Sequence, residues 1–462
     1  MIRIFIVSIF ILFNCFFAFS QVNSNLFGFR TSTSFIFFDV KDSIFVNSVK
    51  SISPNVLSFP GSFGNFYHLE GIGYGLDIAE IQYYHTGKKS KQARGLNRIA
   101  KKKSHTRNYI YDFIDLVKQT NSHVIYDANI ISSTPQEVLD IIQLFISNDI
   151  SLLGVELGGE LSNRAYAHLM DIEKYITLSK LYADSIRSVY RDISIGVVAA
   201  PNNRGLIRLS EWNRKLAKET VYDAIIIHPY AKVVSGIDVA GQMLTVNPEG
   251  SSLQETFEIY RGRAIKYIML DFKEEIDAYV KLYNKPIWLT EWNMQMSSVT
   301  GNTLLQALFV AHQLIELASF QNSNIDIATF HNLAGRTLSG DMIMMDNKKS
   351  KSNATFNSMR IVNTLFSDSL SFLHKYTLQE GIFEYCFVHL KNNRRVYYWI
   401  NWSEYSKKVD MSYFVGKQSE YFGRNLFQKN IESNKLEYNV INVRGNEIEL
   451  KPYSITLLEQ IN

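Results

Sequence analysis

Eight short apolar runs alternate with amphipathic stretches along most of this chain, and that alternation constrains the fold more than any other feature. The runs are Phe35–Phe38, Val56–Phe59, Val124–Asn129, Leu152–Leu157, Ile193–Ala199, Ala224–His228, Pro286–Thr290 and Ile325–Phe330. Most are rich in Val, Ile and Phe and too short for helices, so they read as buried strands. Between them, Pro135–Phe145 reads as a helix, with Thr134 as N-cap and Glu137 at the capping-box position. Asp171–Tyr190 and Leu304–Phe320 carry apolar residues at three- and four-residue spacing, the period of longer helices. Strands that alternate with helices form a parallel sheet, because parallel neighbours need a crossover between them. Eight such units predict a (β/α)₈ barrel over residues 31–367.

From about residue 368 the pattern changes. Short alternating strands such as Arg395–Ile400 and Glu447–Leu450 follow one another, punctuated by turn signals at Lys391-Asn392-Asn393 and Arg444-Gly445-Asn446. Residues 368–462 therefore read as a β-sandwich. A chain of 462 residues exceeds what one core supports, which agrees with a large domain beside a small one.

The first twenty residues stand apart. Arg3 precedes an almost wholly apolar stretch, Ile4–Phe17, and Ala18-Phe19-Ser20 offers small residues where a signal peptidase reads them. This predicts a secretory signal peptide over residues 1–20 and export to the periplasm or beyond the cell. The apolar run is short for a membrane span, and no later segment is apolar enough for stable membrane insertion. Of the two cysteines, Cys15 leaves with the signal and Cys386 remains, so the exported chain has no internal disulfide.

Charge is distributed unevenly. Nine basic residues (Lys88, Lys89, Lys91, Arg94, Arg98, Lys101, Lys102, Lys103 and Arg107) lie between His85 and Arg107 with no acidic one among them. The overall charge is only +4, so the rest of the chain is acidic. The basic segment falls in the connection after the second predicted strand, on the face where barrels of this kind carry their active sites. Such a segment would concentrate an anionic substrate. Nucleic acid is a poor fit, because aromatics are not interleaved and no nucleic-acid motif is present. Phosphate-loop, dinucleotide, HExxH and calcium-loop motifs are also missing, so no cofactor or metal is implied.

Acids at the C-terminal strand ends carry the functional signal. The fourth strand runs into Gly158-Gly159-Glu160 and the seventh into Thr290-Glu291-Trp292. Glu160 and Glu291 would both face the barrel mouth. Two carboxylates across a cleft are what glycosidic cleavage requires: one protonates the leaving oxygen, the other attacks the sugar carbon or activates water. A single strand-end Glu would more simply make a structural ion pair.

These residues resemble those of the clan of retaining glycoside hydrolases, nearest to families 39, 51 and 79, the arabinofuranosidase- and heparanase-like enzymes. Leu57–Gly61 with Asn65 and Tyr67 resembles their second strand, and Asn129 with Ser133–Glu137 their third strand end. Glu156–Glu160 resembles their "ELGNE", Leu289–Trp292 the nucleophile strand, and His228-Pro229-Tyr230 a His-x-Tyr whose tyrosine touches the nucleophile. The resemblance implies that Glu160 is the acid/base and Glu291 the nucleophile, with Asn65, Asn129, His228, Tyr230, Trp292 and His331 as substrate-binding candidates. The substrate it implies is a polysaccharide or oligosaccharide, and the basic segment adds that the glycan is anionic. It also implies that residues 21–30 form an N-terminal strand packed on the sandwich. His228 and His331 read equally as structural residues, and Trp292 as a sugar platform or as core. Three departures stand out: Gly159 replaces an Asn before the acid/base, Ser58 an Arg, and Ser62 a Gly. Gly159 and Ser58 leave open a second reading, a carbohydrate-binding protein with a degenerate barrel.

Overall fold

The computed structural model describes residues 20–76, 79, 80, 95, 98, 107–202, 205–246, 251–320, 324–337, 339–346, 349–411, 420–444 and 447–461. Residues 1–19 of the signal-like segment, and all of the basic segment but Gly95, Arg98 and Arg107, lie outside them. Eight parallel strands close a barrel: β1 (Gly28–Arg30), β2 (Val56–Phe59), β3 (His123–Ala128), β4 (Leu152–Leu157), β5 (Ser194–Val198), β6 (Ala224–Ile226), β7 (Ile287–Met294) and β8 (Ile325–Phe330). β1 closes the ring by pairing with β2 through Gly28 and Val56 and with β8 through Gly28 and Thr329. Among the described residues, no helix is long and apolar enough to cross a membrane.

Seven of the eight apolar runs coincide with barrel strands. The first does not: Phe35–Phe38 enters the helical turn Ser34–Phe37, and Phe38 N–H donates to the carbonyl of Ser34. Four residues are too few to reveal a period, so a buried apolar run reads alike in either state. The true first strand lies inside residues 21–30, so the barrel begins before residue 31. The start of the same segment meets the sandwich, through the Gln21–Ser371 bridge and a hydrogen bond from Val22 N–H to Leu370 O. Glycine is forced at position 28, since a Cβ there would lie 2.8 Å from the Ala328 carbonyl and 2.9 Å from the Val56 Cβ.

Side chains alternate along each strand, so every second residue points into the barrel. The lower layer is apolar: Val56, Ile125, Ala224, Ile226, Trp288 and Ile327 form one buried cluster. The Trp288 ring crosses the interior and lies on two glycines. A Cβ at Gly154 would come 2.3 Å from the ring and one at Gly196 2.7 Å. Two residues further along the same strands, the layer is polar: Arg30, Ser58, Asp127, Glu156 and Thr290, all buried.

The C-terminal region is a six-stranded antiparallel sheet in the order Leu370–Gln379, Ile382–His389, Arg395–Asn401, Ser454–Gln460, Glu420–Phe427, Glu437–Arg444. Its two faces are both apolar. Val396, Tyr398 and Ile400 join the main core with the barrel helices, while Tyr397 and Trp399 face a ribbon of Lys407–Asp410 and Glu447–Leu450. Trp402 turns toward the barrel and donates its indole N–H to His312 Nδ1 at 3.1 Å.

Candidate active site

The polar layer opens into a cleft at the C-terminal ends of the strands. Its centre is Arg30, the last residue of β1 and 1 % exposed. The guanidinium reaches Asp127 (2.9 Å), Glu156 (3.3 Å), the Thr290 carbonyl (3.1 Å) and, through Nε, Glu291 Oε1 (2.9 Å). Burial alone would lower the Arg30 pKa, but Glu156, Glu291 and Asp127 more than reverse that, so the charge is permanent. Asp127 is itself pushed well up, by burial first and then by Glu156, against the pull of Arg30.

Glu291 faces the cleft because β7 bulges. Leu289 pairs with Ala328 and Trp292 with Phe330, so two residues of β7 oppose a single residue of β8 between those pairs. A bulge of this kind re-aims a side chain. Glu291 turns inward and accepts a hydrogen bond from Tyr230 Oη at 2.8 Å. Burial raises its pKa, but the charges of His228, His331 and Arg30 and the Tyr230 hydroxyl outweigh it and hold the carboxyl at about 2. Trp292 turns outward, packs edge-on to Phe330 and is buried. It does not line the cleft, so the sugar-platform reading gives way to the core reading.

Glu160 sits on a tight turn after β4. Gly158 has φ +77° and Glu160 itself φ +51°, a left-handed conformation that costs a non-glycine residue energy. Asn65 holds the turn: its amide donates to Gly159 O at 2.6 Å and its Oδ1 accepts Gly159 N–H at 2.8 Å. Asn65 thus borders the cleft with both amide ends committed to backbone. The side chain of Glu160 is 47 % exposed and lies 3.2 Å from His228 Nδ1. Desolvation pushes its pKa up, yet the hydrogen bond and charge of His228 overcome this and leave it below the usual carboxylate value.

His228 joins both carboxylates. Its Nε2 lies 3.0 Å from Thr290 Oγ1 and its Nδ1 3.8 Å from Glu291 Oε2. Burial lowers its pKa, but Glu291, Glu156 and Glu160 raise it to about 10, so the ring is an imidazolium at neutral pH. Glu160, His228 and Glu291 offer ligand atoms within 4.8 Å of one another, a spacing that also suits a cation. Metal ligation needs a neutral imidazole, so the raised His228 pKa opposes it. His331 borders the cleft with its ring edge-on to Tyr230 at 6.2 Å. Asn129 does not reach the cleft. It is buried and fastens the β3 loop, accepting from Ile131 and Ser132 N–H and donating to Ser132 Oγ.

The structure therefore brings together Glu160, Glu291, Asn65, His228, Tyr230 and His331. It adds Arg30, Asp127 and Glu156, to which the sequence reading assigned no role. The only signal for Arg30 is a lone cation ending a short stretch that does not look like a strand. The same arrangement explains two departures. Arg30 brings to Glu291 the guanidinium that Ser58 lacks. At Gly159 a Cβ would lie 3.3 Å from Asp127 Oδ2 and 3.7 Å from Arg30 Nη2, so the room for an asparagine there is already narrowed.

No protein-family model matches the sequence, and no curated protein matches it. Solved structures do. An alpha-L-arabinofuranosidase from Thermotoga maritima superposes with a TM-score of 0.68 at 14 % identity, covering 96 % of this chain and 98 % of that one. The GH51 arabinofuranosidase from Xanthomonas axonopodis pv. citri gives 0.66 at 14 %, covering 96 % and 97 %. The catalytic domain of GH30 xylanase C from Talaromyces cellulolyticus gives 0.53 at 10 %, covering 96 % and 98 %. Over nearly its whole length, then, the chain has the fold of these proteins: a (β/α)₈ barrel carrying a C-terminal β-sandwich.

Proposed function

We propose that this protein is a retaining glycoside hydrolase in which Glu291 is the nucleophile and Glu160 the acid/base. One observation carries the reading: two carboxylates face each other across one cleft, with oxygens within 4.8 Å. Inverting enzymes need ~6.5–9.5 Å between their carboxyl groups to admit a water. The two environments also differ in the required way. Glu291 is buried, held at about 2 and oriented by Arg30 and Tyr230, so it is an ionised, fixed nucleophile. Glu160 is accessible and paired with a protonated imidazole.

The steps follow. Glu291 attacks the anomeric carbon and the C–O bond to the leaving group breaks. That oxygen takes a proton from Glu160, which draws it from the His228 imidazolium as bound substrate displaces water and raises the carboxyl pKa. Glu160 then removes a proton from water, whose oxygen attacks the anomeric carbon and frees Glu291. The substrate is a carbohydrate, as for the arabinofuranosidases and xylanase of like fold. The finer readings rest on sequence: the basic segment from Lys88 to Arg107 selects an anionic, uronic or sulfated glycan, and the signal-like residues 1–20 send the protein out of the cytoplasm. Gly159 favours the second reading, a binding protein without turnover.

Reducing-end release from neutral, uronic and sulfated polysaccharides, compared with Glu291→Ala, tests the proposal. Release that vanishes in the variant supports it, and release that survives overturns Glu291 as nucleophile. Retardation of a polysaccharide in an affinity gel without release supports the binding protein. Neutralising Lys101, Lys102 and Lys103 should flatten the salt dependence of substrate binding; unchanged dependence overturns the anionic reading.

A further inference from the structure

The cleft has two lobes that meet at Glu160. One, of about 480 Å³, is bordered by Arg30, Glu291 and His331. The other, of about 370 Å³, runs between β5, β6 and the helices Ile207–Leu216 and Phe272–Tyr283. Glu160, His228, Tyr230 and Lys232 border both; Glu291 borders only the first. Under the proposed mechanism, a unit in the second lobe lies across Glu160 from Glu291. It carries the oxygen that Glu160 protonates, and it is therefore the unit that leaves.

The charges around the second lobe sort into pairs with a remainder. Its acids are Glu160, Asp238, Asp271 and Glu275. His228 answers Glu160 at 3.2 Å. Lys266 answers Asp271 at 3.0 Å and Asp238 at 3.6 Å. Burial lifts Glu275 to about 7, against the pull of the Tyr267 hydroxyl and the charge of Lys232. Two cations of the lining remain. Arg164 and Arg208 both border the lobe, and among the described residues neither forms an ion pair.

Both arginines stand on the wall that starts at Glu160. Arg208 donates from Nη2 to the Ser162 carbonyl at 2.6 Å, which draws its guanidinium to the loop after β4. Arg164 opens the short helical turn Arg164–Tyr166 of that loop. Asn163 caps the turn by accepting Ala165 N–H at 3.1 Å, and its amide lies 3.4 Å from Glu160 Oε2. A lone arginine on a solvent face is ordinary. Two on one cavity wall beside Glu160, with the acids of that cavity answered by other cations, leave positive charge where the departing unit sits. A guanidinium presents its N–H groups in a planar fork that matches the oxygens of a carboxylate or a similar oxyanion.

We propose that Arg164 and Arg208 bind the anionic substituent, a carboxylate or a sulfate, of the sugar on the leaving side of the scissile bond. The preferred substrate is then a glycan whose departing unit is a uronic acid or a sulfated sugar. This rests on the glycosidase reading and assigns the anionic charge of the glycan to that unit. Cleavage breaks the bond between the anomeric carbon and the leaving oxygen. That oxygen takes the proton of Glu160, and Glu291 holds the other sugar until water frees it. The arginines keep their protons throughout.

Two measurements test it. The first needs no turnover: titration of the protein with glucuronate, with sulfated glucose and with glucose, in the wild type, Arg164→Gln and Arg208→Gln. Saturable binding of at least one anion, weakened about tenfold in each variant, is expected. The anion that binds distinguishes carboxylate from sulfate. Absence of anion binding, equal anion binding in all three proteins, or glucose bound as tightly as the anions overturns the proposal. Arg164 is exposed, so its variant decides even if Arg208→Gln disturbs the loop at Ser162. The second compares nitrophenyl glycosides, across a sugar panel, with the same sugars joined to glucuronate or to sulfated glucose. The variants should lower kcat/KM about tenfold further for an anionic compound than for the nitrophenyl one; an equal fall for both overturns the assignment. If no compound is cleaved, the glycosidase reading fails, while the titration still decides whether the arginines take the anion.

Discussion

The lower and upper layers of the barrel interior come from the same strands, two residues apart, and obey opposite rules. Below, Trp288 packs on Gly154 and Gly196 in a buried apolar cluster. Above, one arginine compensates Asp127, Glu156 and Glu291 at once. The lower layer is built for stability. The upper layer spends some of it, because charges removed from water are held only by good mutual geometry. The candidate site lies at the layer that a stable core would not choose.

The comparison can be tested, and the largest effect belongs to the upper layer. Glu291→Ala should lower glycoside turnover by at least about 10⁴-fold with folding intact, measured as initial rates beside circular dichroism. Arg30→Met and Trp288→Ala should each destabilise by ~3–5 kcal/mol, the first by stranding buried carboxylates, the second by opening a cavity. Urea unfolding across pH separates them. Glu291, held at about 2, contributes stability that is present above the ordinary carboxylate value and lost as pH falls toward 2. His228, held at about 10, contributes stability that is present below the ordinary imidazole value and lost as pH rises through 10. The wild type should therefore be most stable between those limits. Trp288→Ala should lower the curve and keep its shape, whereas Arg30→Met should change its acid limb. Parallel curves would break the distinction between the layers.

Smaller effects sharpen it. Gly159→Asn restores the residue of the resembling enzymes, yet should cost ~1–3 kcal/mol by crowding Asp127; an unchanged melting temperature would count against the filled-space explanation. His228→Asn should narrow the pH–rate profile from both sides. The acid limb rises as Glu291 loses a cation, and the alkaline limb falls as Glu160 is left without the imidazolium that supplies its proton.

Much of this was legible in the sequence, for physical reasons. Seven barrel strands are apolar runs bounded by polar turns, and burial on both faces demands that pattern. Glu160 and Glu291 follow such runs within a few residues, so strand ends located them, whereas Tyr230 came from the resemblance of His228-Pro229-Tyr230. The rest depends on what lies opposite. β1 escaped because Gly28 has no side chain and Arg30 is charged, and both features answer to neighbours on other strands. The capping signal at Thr134 was half right. Glu137 N–H donates to the Thr134 hydroxyl, but the Glu137 carboxylate turns to His68 and Leu69 N–H instead of closing the box. Asn129 was misplaced and Trp292 left undecided because adjacency to a site in sequence does not set side-chain direction, which a bulge or a turn reverses.

The closure of the barrel also has a consequence in time. The strand that supplies the central guanidinium is synthesised early, yet one of its two partners, Thr329 and Phe330 on β8, comes about three hundred residues later. Contacts so distant along the chain are slow to form. Until β8 arrives, Arg30 has at most part of its final surroundings. A late-folding chain would thus carry Glu160 and Glu291, the carboxylates proposed for catalysis, before it could use them, and recovery of the proposed activity should lag behind recovery of helix in a refolding experiment.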